Sequence, residues 1–149
     1  MAANRKDVRK KMAELLETAL GAGAPTQLVQ AFYKSQPRDF GGASPVVTVS
    51  GAGSDRPRMT QGAGRSTFWL NVHVFVVFAL ADGSWTEDDA EDRLDDIEAA
   101  VAAVIQNNRR LSGFWEALDY ESRSAAGSVE VGGVEYRREV IPLKVEVYS

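Results

Sequence analysis

The chain has no cysteine and a single histidine, His73. The first absence excludes disulfides, thiolate metal sites and cysteine nucleophiles. The second excludes a two-histidine metal site within one subunit and leaves His73 as the sole imidazole base. No run approaches the ~20 apolar residues that a membrane helix needs. The opening MAANRKDVRKKMAELL lacks the apolar stretch of a signal peptide, so a product made in the cytoplasm with no membrane partner is expected. Charge of one sign is not in large excess: 17 Lys and Arg face 21 Asp and Glu, a net charge of −4. Nothing global therefore marks a nucleic-acid binder. What is present is ordinary for a folded chain. Hydrophobic residues make up 44% of 149 positions, which suits one domain over residues 1–149 with one core.

Apolar spacing predicts a helix from Arg5 to about Leu20, with Val8, Met12, Leu15, Leu16, Ala19 and Leu20 on one stripe. Asn4 and Asp7 form a candidate cap, and Gly21 and Gly23 stop the helix. Arg5, Lys6, Arg9, Lys10 and Lys11 crowd its first half, where the macrodipole disfavours positive charge. They read as a solvated face or as contact with an acidic partner. Leu28–Tyr33 is a short strand, KSQPRDFGGASP a loop, and Val46, Val47 and Val49 a second short strand.

Residues 51–65, GAGSDRPRMTQGAGR, interrupt this pattern with a glycine-rich, basic stretch that cannot bury enough surface to fold alone. They read as a long mobile loop, an arm that touches something else. The best strand follows, Thr67–Leu80, with Phe68, Leu70, Val72, Val74, Val76, Phe78 and Leu80 on an apolar face. Trp69, Asn71, His73, Phe75, Val77 and Ala79 form a mixed face. Such a strand belongs in mid-sheet or at a subunit interface. Thr86 with Asp89 caps a second helix whose stripe is Ala90, Leu94, Ile97, Val101, Val104 and Ile105. Residues 112–122 begin a further strand, and Ser128–Val131 and Val134–Tyr148 flank a Gly132–Gly133 hairpin turn. Apolar parity in the last strand changes between Arg138 and Ile141, which predicts a bulge there or a bend at Pro142. The expected fold is α+β: a mixed or mostly antiparallel sheet packed by two helices, in the order α-β-β-β-α-β-β, with the mobile loop at about 51–65.

No reaction chemistry stands out. His73 sits among apolar strand residues with no assignable acidic or hydroxyl partner, and reads as a packed or interface histidine. Carboxylates at 88, 92 and 95/96 align on the second helix, but an uninterrupted helix lacks the loop carbonyls of a calcium site. Gly51-Ala-Gly53 and Gly62-Ala-Gly64 lack the pattern of a phosphate loop. No metal, cofactor or catalytic residue is expected, and the chain reads as a non-enzyme.

The N-terminal helix, QPRDFGGASPVVTV, the loop, FWLNVHVFVVF, TEDDAEDRLDDIEAAVAAVI and the closing GGVEYRREVIPLKVEVY together resemble the tail-terminator (minor tail protein U-like) proteins of long-tailed bacteriophages. The resemblance spans nearly the whole chain and is one of pattern and architecture. It implies a structural protein of the virion, a homo-oligomeric ring, commonly hexameric, on the end of the tail tube. Such a ring ends tube polymerisation and joins the tail to a head-completion or neck protein, with DNA only as cargo passing through the lumen. The family has no catalytic residues to carry over.

In that frame Arg56, Arg58, Met59 and Arg65 are candidates for a partner-binding loop. Trp69, His73 and Phe75 are candidates for the subunit interface. Glu91, Asp92, Asp95 and Asp96 are candidates for an acidic lumen wall that lets DNA slide. That last idea fails if the acidic face is buried between subunits against arginines. A head-completion or neck connector protein and a small nucleic-acid-binding module remain as alternatives.

Overall fold

Asn4 accepts a hydrogen bond from the Asp7 amide and starts helix α1, Arg5–Leu20. The computed structural model describes residues 3–33, 36–56 and 64–148. After α1 come strands β1 (Ala31–Tyr33), β2 (Val46–Asp55) and β3 (Arg65–Val77), helix α2 (Glu87–Asn107), and strands β4 (Ala117–Tyr120), β5 (Ala125–Val131) and β6 (Val134–Tyr148). Helix α2 begins with the expected reciprocal cap between Thr86 and Asp89. The order follows the α-β-β-β-α-β-β expectation, with the 112–122 segment supplying the separate short strand β4.

Among the described residues the strands form one six-stranded mixed sheet ordered β1-β2-β3-β6-β4, with β5 also paired to β6. Only β1 and β2 are parallel. β4 and β5 share one edge of β6, β4 beside Leu143–Glu146 and β5 beside Val134–Val140. Gly132 and Gly133 both have positive φ, which the two-residue β5–β6 turn requires. Gly132 is also needed for space, because a Cβ there would meet the Asp39 side chain at 2.8 Å.

Both helices lie on one face of the sheet. Val8, Met12, Leu16 and Leu20 of α1 and Leu94, Ile97 and Val101 of α2 pack on Phe68, Leu70, Val72, Val74 and Val76 of β3 and on Ile141, Leu143, Val145 and Val147 of β6. Leu15 is only partly buried and Ala19 is exposed, so the α1 stripe is narrower than its spacing suggests. Phe78 and Leu80, placed by parity on the apolar face, fall beyond the end of β3, and Leu80 is exposed.

The parity change in β6 has no bulge behind it. β3 and β6 pair without a register shift from Arg65↔Tyr148 to Val77↔Tyr136. The sheet instead has a second, smaller core on its other face, made by Phe40, Val46, Phe75, Val131 and Tyr136. Tyr136 serves that face, while Ile141, Leu143, Val145 and Val147 serve the first, so one strand in unbroken register shows two apolar parities.

Candidate interaction surfaces

The described stems of the arm expected at 51–65 are largely ladder. β2 continues through Gly51–Asp55, paired antiparallel with Leu70–Thr67, and Arg65 already belongs to β3. A bulge at Ala52, between Gly51 and Gly53, shifts the register by one residue, and pairing resumes at Gly53↔Trp69. Pairing overrode composition here because β3 is a strong template on which a weak strand former still gains hydrogen bonds. The mobile-loop expectation is therefore corrected at both stems. Residues 57–63 lie outside the described residues, and with them Arg58 and Met59. Of the other loop candidates, Arg56 lies over the Phe68 ring of its own subunit at 5.1 Å, and Arg65 stands 3.9 Å from Glu146.

Among the described residues the outer edge of this ribbon carries no paired strand. β1 pairs only with Val46–Thr48, so among the described residues no strand lies along the outer edge of Val49–Asp55. Its side chains are small at Gly51, Ala52, Gly53 and Ser54. Such an edge admits another backbone or a flat side chain at close range. Beside it the first turns of α1 come down on the ribbon. Arg5 donates from Nη1 to Ser54 Oγ at 3.0 Å, and Arg5, Lys6, Arg9 and Gly51 line a cavity of about 320 Å³. The crowding of cations at the start of α1, which helix propensity does not explain, thus faces a concave surface.

The interface candidates divide. Phe75 is fully buried under Phe40, which meets it edge-on at 5.0 Å and also packs edge-on against Tyr136. It has no surface to offer a neighbour, which corrects its assignment. The reason is local: the 36–45 loop folds back over this end of the sheet, with Phe40 as its one large apolar side chain. A lone phenylalanine among Asp, Gly and Pro was the available signal in QPRDFGGASP. Trp69 and His73 remain half-buried on the open part of the same face.

His73 has a partner that sequence did not supply. Ser50 Oγ and His73 Nε2 are 2.9 Å apart, diagonal neighbours on the ladder where Thr48 opposes His73. The other ring nitrogen, Nδ1, is buried with no hydrogen-bond partner among the described residues. Burial, and then the Arg138 charge, hold the His73 pKa below its ordinary value. A serine–histidine pair whose second nitrogen faces no carboxylate lacks the group that would orient and stabilise an imidazolium. The arrangement keeps a neutral, fixed ring on a sheet surface. Among the described residues no group of three or more His, Asp or Glu side chains is placed to hold a metal ion.

The acidic candidates lie together on the exposed side of α2. Glu91 is ion-paired with Arg137 at 2.5 Å across to β6. Asp92, Asp95 and Asp96 are exposed and form no ion pair among the described residues. Asp89 is occupied in the cap. No protein-family model matches the chain, and no curated protein matches it. Among the described residues no helix is long and apolar enough to cross a membrane.

Proposed function

We propose that this chain is a ring-forming structural protein of a phage virion, a tail terminator that ends tube polymerisation and joins the tail to the head or neck. The observation that carries this reading is the β2–β3 ribbon with its bare outer edge. An edge of small residues with no strand along it among the described residues, flanked by cations, supports docking to another protein better than turnover of a substrate. Ring closure needs two different, complementary patches on each subunit, and the oppositely charged ends of the helical layer support that requirement. The virion setting rests on the resemblance of the whole chain to tail terminators.

The test replaces residues 57–63 with a short turn and leaves Gly51–Asp55 in place, because those residues are part of the ladder. The shortened chain is expected to fold and to lose tail joining when it replaces the intact chain in particle assembly. Equal particle yields from both chains would sink a role for residues 57–63 in joining, and Ala52→Pro with Ser54→Pro, expected to lower yields, tests the edge of β2 itself. A pull-down separates the terminator from the neck alternative: the first retains tail-tube protein, the second only head components. The cationic cavity favours one further reading, a small nucleic-acid-binding module. Salt-sensitive binding of duplex DNA by the monomer would support it.

A further inference from the structure

The charged halves of the two helices sit at opposite ends of the helical layer. The start of α1 is fixed at the ribbon end by Arg5 on Ser54. Further along α1, Lys11 lies over the Phe114 ring at 5.2 Å, just past the end of α2. The start of α2 lies at the other end, where Trp85 Nε1 donates to the Val77 carbonyl and Arg93 reaches the Leu28 carbonyl beyond the end of α1. The two helices therefore run in opposite senses, and the cations of one cannot neutralise the carboxylates of the other within one subunit. Among the described residues neither Lys6, Arg9 and Lys10 nor Asp88, Asp92 and Asp95 form an ion pair.

We infer that the cavity at Arg5 and Arg9 receives the α2 carboxylates Asp88, Asp92 and Asp95 of a second copy of this chain. The spacing suits it. Residues four apart on a helix rise about 6 Å, so Arg5 and Arg9 match Asp88 and Asp92 step for step. Gly51 carries no side chain, so Arg5 lies directly against the ribbon there and lines the cavity at its edge. Because the two patches are different and sit at opposite ends, the contact is head-to-tail and repeats from copy to copy, as a ring requires. It also places the acidic face at the seam between subunits instead of in the lumen. This inference rests on the ring reading and specifies its interface.

The experiment uses two full-length variants, Arg5→Glu with Arg9→Glu and Asp92→Arg with Asp95→Arg. Both change surface positions on helices, and glutamate near the start of α1 suits the macrodipole, so folding is expected to persist and is checked by circular dichroism. Self-association is read by sedimentation at low salt, with and without tail-tube protein. A zero-length carbodiimide cross-link between Lys6 or Lys10 and an α2 carboxylate is read by mass spectrometry on mixed light and heavy chains. The unaltered chain is expected to give light–heavy cross-links. Each variant alone is expected to associate at least about tenfold more weakly, and a mixture of the two to recover, since each reversed patch then meets its complement. Association of either variant at full strength, or no recovery on mixing, overturns the interface while leaving the ring reading intact. A chain that stays monomeric with tube protein present and gives no light–heavy cross-link sinks both. DNA binding lost in Arg5→Glu with Arg9→Glu, with self-association unchanged, would assign the cavity to phosphate instead.

Discussion

The two faces of β3 carry nearly the same number of large side chains, yet they end in different states. On the face beneath the helices, Phe68, Leu70, Val72, Val74 and Val76 are each no more than 1% exposed. On the other, Phe75 is sealed, while Trp69, Asn71 and His73 stay half-open. The difference lies in what covers them. Two helices run along the first face, whereas among the described residues only the 36–45 loop reaches the second, and it covers one end. The uncovered end keeps polar groups, such as Ser50 with His73, where a covered face keeps hydrocarbon. A fold needs one closed face to be stable. The second, with its mixed character, needs no such closure for the fold to be stable.

The hardest way to break that comparison is to charge the closed face. Val74→Asp puts an unpaired carboxylate into a fully buried apolar cluster. The expected cost is several kcal/mol, comparable with the whole stability of a small domain at roughly 5–15 kcal/mol. The variant should be insoluble or unfolded by circular dichroism. A folded, soluble Val74→Asp chain would show that the face is assigned to the wrong side. The loop-covered end should respond less. Phe40→Ala removes the side chain that seals Phe75 and Tyr136, at an expected cost of about 3 kcal/mol, read as a lower urea midpoint. It should leave β1–β2 and β3–β6 pairing in place, checked by amide exchange. A loss as large as that of Val74→Asp would mean that the second core is not subsidiary.

The closed face was legible in the sequence, and the open one only in part. Helix α2 is written in its cap and stripe, and the β5–β6 turn in two adjacent glycines, because these signals are local. The ends of β2 and the plug at Phe40 are not local. Gly51–Asp55 has poor strand propensity and is strand because β3 lies beside it. Phe40 is buried because the chain returns over the sheet, a contact that spacing along the loop does not encode. The β6 parity change has the same root: a bulge is the local explanation, and two cores on one strand of unbroken register is the tertiary one. For the candidate surfaces, residue type located the acidic helix and the cationic helix, and only their packing placed the charges at opposite ends.

The smallest effect tests the open end of the second face, through His73. Its pKa is held low by burial and then by the Arg138 guanidinium. Well above the ordinary value of 6.5, the folded and unfolded chains both carry a neutral ring, and the residue adds no pH dependence. As pH falls through that value, the unfolded chain takes up a proton that the folded chain refuses. Stability therefore declines with falling pH until the lowered folded pKa is reached, and declines no further on this account below it. The geometry supplies the reason for the refusal. A charged ring carries an N–H at both nitrogens, so its Nδ1–H would sit buried with no acceptor among the described residues, and its charge would lie beside Arg138. Asn71 and Lys144 stand on the same face, and neither offers the ring a carboxylate. His73→Gln keeps a side chain able to bond Ser50 and removes the titration. Between about pH 8 and about pH 5, the unaltered chain should lose more stability than the His73→Gln chain, read as the difference between their urea midpoints. Parallel curves would assign the acid response to carboxylates that the two chains share. They would also mean that the Ser50–His73 corner is open enough for water to solvate the charged ring, which would make this end of the face an even more accessible surface for a neighbour.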